Sequence, residues 1–148
     1  MFAQSSRNLA LAVLIALPGL AHAAGQAVEV FKTATCPCCE KWIKHLEANG
    51  MTVKANNVPD TSVVRQKLGM PEQHGSCHTA VVKGYVIEGH VPAAEIKRLL
   101  AEKPKNAKGL AVPGMPMGSP GMEAPTGEPY DVLLVNKDGS TRVFKHYK

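Results

Sequence analysis

Between Gln26 and Lys32, in "QAVEVFK", apolar and polar side chains alternate, which is the period of a half-buried strand. The period then lengthens. Cys39, Ile43 and Leu46 fall at i, i+4 and i+7, one face of a helix expected over residues 36–49 and stopped by Gly50. Pro37 suits its first turn, where the missing N–H costs nothing. A second strand is expected over 51–58, and a second helix over 61–68, introduced by Pro59-Asp60 and closed by Gly69. Apolar runs at 79–82 and 85–88, on either side of Lys83-Gly84, read as a hairpin. A third helix follows Pro92, with Ile96, Leu99 and Leu100 as its inner face. The order strand, helix, strand, helix, strand, strand, helix is the thioredoxin-like α/β arrangement, a four-stranded sheet with helices on both faces.

Residues 104–129 depart from this pattern. The stretch "PKNAKGLAVPGMPMGSPGMEAPTGEP" is rich in Pro, Gly and Met and too long for an ordinary connection. After it, "YDVLLV" and "TRVFKHY" flank Lys137-Asp138-Gly139-Ser140 as a β-hairpin. The sequence therefore predicts a thioredoxin-like domain over 24–103 and a C-terminal extension over 104–148, Met-rich loop and hairpin, laid across the same domain. There are no internal repeats.

At the other end, Arg7 is the only charged side chain before an apolar run from Leu9 to Leu17, broken by Pro18-Gly19 and followed by the small residues of Ala21-His22-Ala23. This is the layout of a secretory signal peptide, residues 1–23, cut after Ala23. The uncharged stretch is shorter than the roughly 20 residues a membrane span needs. The expected mature protein has 148 less the 23 of the leader, or 125 residues, room for one small domain. It is expected in the periplasm, as a monomer with no membrane attachment. The formal charge of +5 falls to +4 without Arg7 and is spread over scattered lysines, a pattern that argues against a nucleic-acid partner.

Export changes how the four cysteines read. An oxidising compartment would turn them into two disulfides, yet "TCPCCE" sets Cys36, Cys38 and Cys39 within four positions. Cys36 and Cys39 form a Cys-x-x-Cys pair at a strand-to-helix turn, where the helix N-terminus favours the thiolate; these are the candidate catalytic thiols. A directly adjacent pair such as Cys38 and Cys39, with Cα atoms about 3.8 Å apart, makes a poor disulfide. Cys38 fits a metal ligand better. Soft thiolates select Cu(I), Zn(II) or iron–sulfur clusters, and sulfurs on neighbouring residues suit bridging between several ions. In a thioredoxin-like fold the loop holding Cys77 and His78, in "SCHTA", lies beside this turn, which makes both candidate ligands. The cis-proline that a thioredoxin carries directly before this strand is absent, which weighs against disulfide exchange with peptide substrates.

Met115, Met117 and Met122 add thioethers, soft donors that suit Cu(I); the competing reading is that they pack an irregular loop. Together with the thiols they favour copper over zinc. His90, in "EGHVP", follows the fourth strand and is a further candidate if it points to the same end of the sheet; the competing reading is a histidine that faces solvent. His45 lies two turns along the helix from Cys38, too far to share an ion, and His74 and His146 read as solvated. Trp42 is expected to pack the first helix.

"TCPCCEKW", "SCHTAVVKGYVIEGHVPAAEI" and "GLAVPGMPMGSPGME" together resemble the CopG family of exported bacterial copper-resistance proteins, marked by a Cys-x-Cys-Cys motif. The resemblance covers nearly all of the expected mature chain. It implies a thioredoxin-like domain whose C-terminal extension reaches the metal site, and periplasmic copper handling with Cu(I)/Cu(II) interconversion. Cys36, Cys38 and Cys39 fill the three-thiol motif and Cys77 the later cysteine. Three function classes are expected: a copper oxidoreductase, a Cu(I) sequestration or carrier protein serving an efflux system, and a thiol-disulfide oxidoreductase.

Overall fold

The computed structural model describes residues 25–148; the leader expected at 1–23 lies outside the described residues. Strand β1 (Gln26–Lys32) leads to helix α1 (Pro37–Ala48), then β2 (Met51–Asn57) and α2 (Thr61–Lys67). A single 3₁₀ turn (Glu72–His74) precedes β3 (His78–Val82) and β4 (Tyr85–Glu88). Helix α3 (Ala93–Glu102), β5 (Ala107–Ala111), β6 (Tyr130–Asn136) and β7 (Thr141–Tyr147) complete the chain. The fold is α/β and thioredoxin-like. Local chemistry explains the boundaries: Cys36 is the extended N-cap of α1 with Pro37 in the first turn, and the Asp60 carboxylate caps α2 by accepting from the Ser62 N–H at 2.8 Å.

The sheet has seven strands in the order β2-β1-β3-β4-β5-β6-β7, not the four expected for its first part. The missing link was β5, inside the segment that reads as loop. Its sequence, AKGLA, lacks the β-branched and aromatic residues that announce a strand. Gly109 is needed there, because a Cβ would run into the Val86 carbonyl across the pairing. Strand β5 pairs parallel to β4 and antiparallel to β6, so the terminal hairpin continues the sheet.

Alternation along the strands sorts the core onto two faces. On one, Trp42, Ile43 and Leu46 of α1 and Ile96 and Leu99 of α3 pack on Val28, Val30, Ala80, Ile87, Leu110, Val132 and Leu134, with Leu100 half-buried beside them. On the other, Met70 after α2 meets Val86, Ala111 and Val135. The hairpin is tied to α3: the Arg98 guanidinium lies 3.6 Å over the Phe144 ring and donates to the Phe144 carbonyl, and the Tyr147 hydroxyl donates to Glu95 at 2.9 Å.

Residues 112–129 form a strap without regular structure. It is fixed nonetheless. The Val112 N–H donates to the Glu88 carbonyl at 3.0 Å and the Gly114 N–H to the Gly75 carbonyl at 3.1 Å; within the strap, Gly118 donates to Met122 and Glu128 to Met117, both at 2.7 Å.

Candidate metal centre

Four chain segments meet at one end of the sheet. The turn after β1 delivers Cys36 and the first turn of α1 delivers Cys38 and Cys39; the start of β3 brings Cys77 and His78; His90 follows β4; and the strap passes over them at Pro120 and Gly121.

Cys36 and Cys39 are joined as a disulfide, with Cα atoms 5.3 Å apart. Cys38 and Cys77 are free and half-buried. The Cys38 Sγ lies 3.6 Å from the Cys36 Sγ and 3.6 Å from the Cys77 Sγ. The four sulfurs all fall within 4.8 Å of one another. Cys77 also belongs to a second group: its Sγ is 3.0 Å from His90 Nε2 and 3.4 Å from His78 Nδ1. Cys77 is thus the hinge between a sulfur cluster and an imidazole pair.

Burial controls the protonation of this set. It pushes the Cys77 thiol up to about 12, and the neighbouring Cys38 adds to the rise. A metal ion held there would displace that proton. Burial, then the adjacent His90, pushes His78 down to about 3, and burial also lowers His90, against the Pro120 carbonyl and Glu123. Burial thus favours the neutral form of both rings. The Pro120 carbonyl, 2.9 Å from His90 Nδ1, can only accept, so Nδ1 carries the proton and Nε2 presents its lone pair toward Cys77. His78 is fully buried, packs on Trp42 at a tilt of 36° with ring centroids 4.3 Å apart and meets His90 edge-on at 5.0 Å. Its Nε2 has no hydrogen-bond partner among the described residues. Trp42 in turn is anchored through Nε1 to the Val91 carbonyl at 2.9 Å.

Of the expected ligands, the structure brings Cys36, Cys38, Cys39, Cys77, His78 and His90 together. Met115 and Met117 are exposed on the strap, whereas Met122, next to Gly121, is half-buried. His45 is apart from the cluster, its Nε2 accepting from the Ala93 N–H at 3.0 Å. His74 is buried rather than solvated, because the 3₁₀ turn folds it inward; its Nε2 is unpartnered. His146 is exposed and pairs with Asp131 at 2.7 Å.

Sequence reasoning missed the supports: Pro120, the packing of Trp42 against His78, and a buried polar group of Arg65, Glu88 and Thr79 beneath the Cys77 loop. A signal existed for one of them. Glu88 shares the parity of Val86 in β4, so a carboxylate had to point into the interior.

Two solved structures, named copper resistance protein CopG, forms 2 and 1, are each 45% identical to the chain, with TM-scores of 0.79 and 0.78. They match 84% and 83% of this chain and 99% and 98% of their own. The chain belongs to the CopG family. A family model described as "Protein of unknown function, DUF411" matches residues 74–122, the part of this CopG-family chain that runs from the Cys77 loop through His90 to the strap. None of the curated protein sequences compared with it matches.

Proposed function

We propose that the protein binds copper as part of copper resistance, through Cys36, Cys38, Cys39 and Cys77, and that it interconverts Cu(I) and Cu(II). The observation that carries this reading is the convergence of four sulfurs, from a local motif and from a distant loop, within 4.8 Å of one another. With the Cys36–Cys39 disulfide reduced, thiolates at that density suit a soft ion, and the 45% identity to proteins named for copper resistance favours copper among the soft ions. His78 and His90, neutral and imidazole-based, add donors that Cu(II) accepts. Met122 supplies a thioether from the strap, and Met115 and Met117 are soft donors on its exposed surface. Cys38, 3.6 Å from a sulfur on either side, would hold copper in common with both neighbours, an arrangement suited to a multinuclear site.

Cys36 and Cys39 supply the redox step. As a dithiol the pair gives one electron to each of two Cu(II) ions, releases two protons and closes to the disulfide, leaving two Cu(I). A dithiol reductant reopens it. The protein acts as a monomer in the periplasm after loss of residues 1–23, and a reductant or a copper efflux system is its partner there. The second reading, a carrier that sequesters Cu(I) without turnover, uses the same ligands.

The test is metal analysis of anaerobically purified residues 24–148, with and without all four cysteines changed to Ser. Copper should vanish from the variant while its circular dichroism is retained; full stoichiometry without thiols would overturn the reading. Cys38→Ser should lose most copper yet still form the Cys36–Cys39 disulfide. Repeated cycles of Cu(II) reduction with an added dithiol separate the oxidoreductase from the carrier, which would stop after one.

A further inference from the structure

Residues 75–77, which deliver Cys77, lie outside the strand ladder, since pairing of β3 with β1 begins at His78 opposite Lys32. Something else must hold them. The backbone of Ser76 is satisfied entirely by side chains from other elements: its N–H donates to Glu88 Oε1 at 2.7 Å, and its carbonyl accepts from Arg65 Nη2 at 2.7 Å. Arg65, on α2, also donates from Nε to Glu88 Oε1 at 2.9 Å and from Nη1 to Glu72 Oε1 at 2.7 Å. Thr79 Oγ1 closes the group by donating to Glu88 Oε2 at 2.6 Å. The Ser76 hydroxyl donates to the Gly114 carbonyl, which ties in the start of the strap.

This group is expensive to maintain. Glu88 is fully buried and Arg65 nearly so, and a buried ion pair is commonly no more stable than an apolar replacement. Its neighbours on that face, Met70, Val86, Ala111 and Val135, show that an apolar filling was available. An apolar filling, however, could not bond the Ser76 N–H and carbonyl. We infer that Arg65 and Glu88 are positioning residues for Cys77, fixing from the opposite face of the sheet the backbone that sets the fourth sulfur against Cys38 and His90. The planar fork of Arg65 is essential, because one side chain must reach Glu72, Glu88 and the Ser76 carbonyl in different directions.

The inference rests on the reading of Cys77 as a copper ligand, and its test separates the two. In protein with Cys77 as the sole thiol (Cys36, Cys38 and Cys39 changed to Ser), the metal-free rate of Cys77 alkylation should rise at least tenfold on Glu88→Gln and on Arg65→Lys, measured well below each variant's melting temperature. In protein with all four cysteines, competition against a chromophoric Cu(I) chelator should show at least a tenfold loss of Cu(I) affinity for either change. In a Cys77→Ser background the same changes should shift affinity less than twofold, because the positioned atom is gone. Equal losses in both backgrounds, or an unaltered alkylation rate, would reduce Arg65 and Glu88 to general stability and overturn the inference. Should Glu88→Gln not fold, Thr79→Val, which removes only the bond to Oε2, must show the same pattern at smaller size. Absence of copper binding by the unmodified protein would refute the copper reading instead, and the alkylation arm would still decide the positioning role.

Discussion

At Gly121 the strap passes directly over the first turn of α1. Its φ is +88°, and a Cβ there would sit 2.7 Å from the Cys38 carbonyl oxygen and 2.9 Å from the Trp42 nitrogen, both backbone atoms that cannot swing aside. Gly121→Ala is therefore expected to lift the strap and cost about 1–3 kcal/mol, read as a lower denaturant midpoint with an unchanged slope. His90 should lose its bond to Pro120 at the same time, visible in the imidazole ¹⁵N spectrum; an intact bond would show that the strap can yield. His45 offers a second test at this scale. Burial, against an opposing pull from Glu123, holds its folded pKa below the ordinary 6.5, and its Nε2 must stay unprotonated to accept from Ala93. Above 6.5 neither state is protonated and the contribution is complete. As the pH falls below 6.5 the unfolded chain takes the proton first, so stability is lost down to the folded value and no further. Melting temperature against pH should show this slope, and His45→Gln should flatten it. The Cys36, Cys38, Cys39 triplet was legible in the sequence because one disulfide uses only two of three crowded thiols, and Cys77 because the thioredoxin-like order sets its loop beside that turn. Pro120 and Gly121 were not, because the groups that give them meaning lie 30 residues or more away in the chain.

Among the elements, the regular ones were readable to within a residue or two, because each has a clear period and punctuation: Pro37 and Gly50 around α1, Asp60 and Gly69 around α2. Strand β5 escaped because Ala, Lys and Gly carry almost no strand preference, and its pairing with β4 and β6 makes it a strand. The strap carries no period of its own, since its order comes from bonds to Gly75, Glu88 and His90. Those bonds fix it only at intervals, and Met115 and Met117 remain exposed. Copper is therefore expected to raise amide protection across 112–123, followed by hydrogen exchange with and without the metal. Changing Met115 and Met122 together should weaken Cu(I) more than Cu(II), because a neutral soft donor favours the reduced ion. Equal protection in both states would make the strap a permanent lid and its methionines packing residues.

For the molecule as a whole, the terminal hairpin is structural. Val132, Leu134, Val135 and Phe144 are buried, each worth about 1.5–3 kcal/mol against a typical total of about 5–15 kcal/mol. Removal of residues 130–148 should abolish the cooperative melt and expose the β5 edge to aggregation; a soluble, cooperatively melting remainder would show that the sheet can end at β5.

The distance along the chain between the sulfurs has a further consequence. Cys38 and Cys77 are 39 residues apart, and Pro120 comes 30 residues after His90. The complete donor set therefore exists only after β3, β4 and the strap have docked, while an unfolded chain offers the local cysteine triplet alone. An ion that prefers the complete set draws the equilibrium toward the native state, by about 2.7 kcal/mol at a free concentration one hundred times its dissociation constant. Molecules carrying cargo should then outlive empty ones in the presence of proteases, so that the cell's store of this protein follows its metal supply without any change in synthesis.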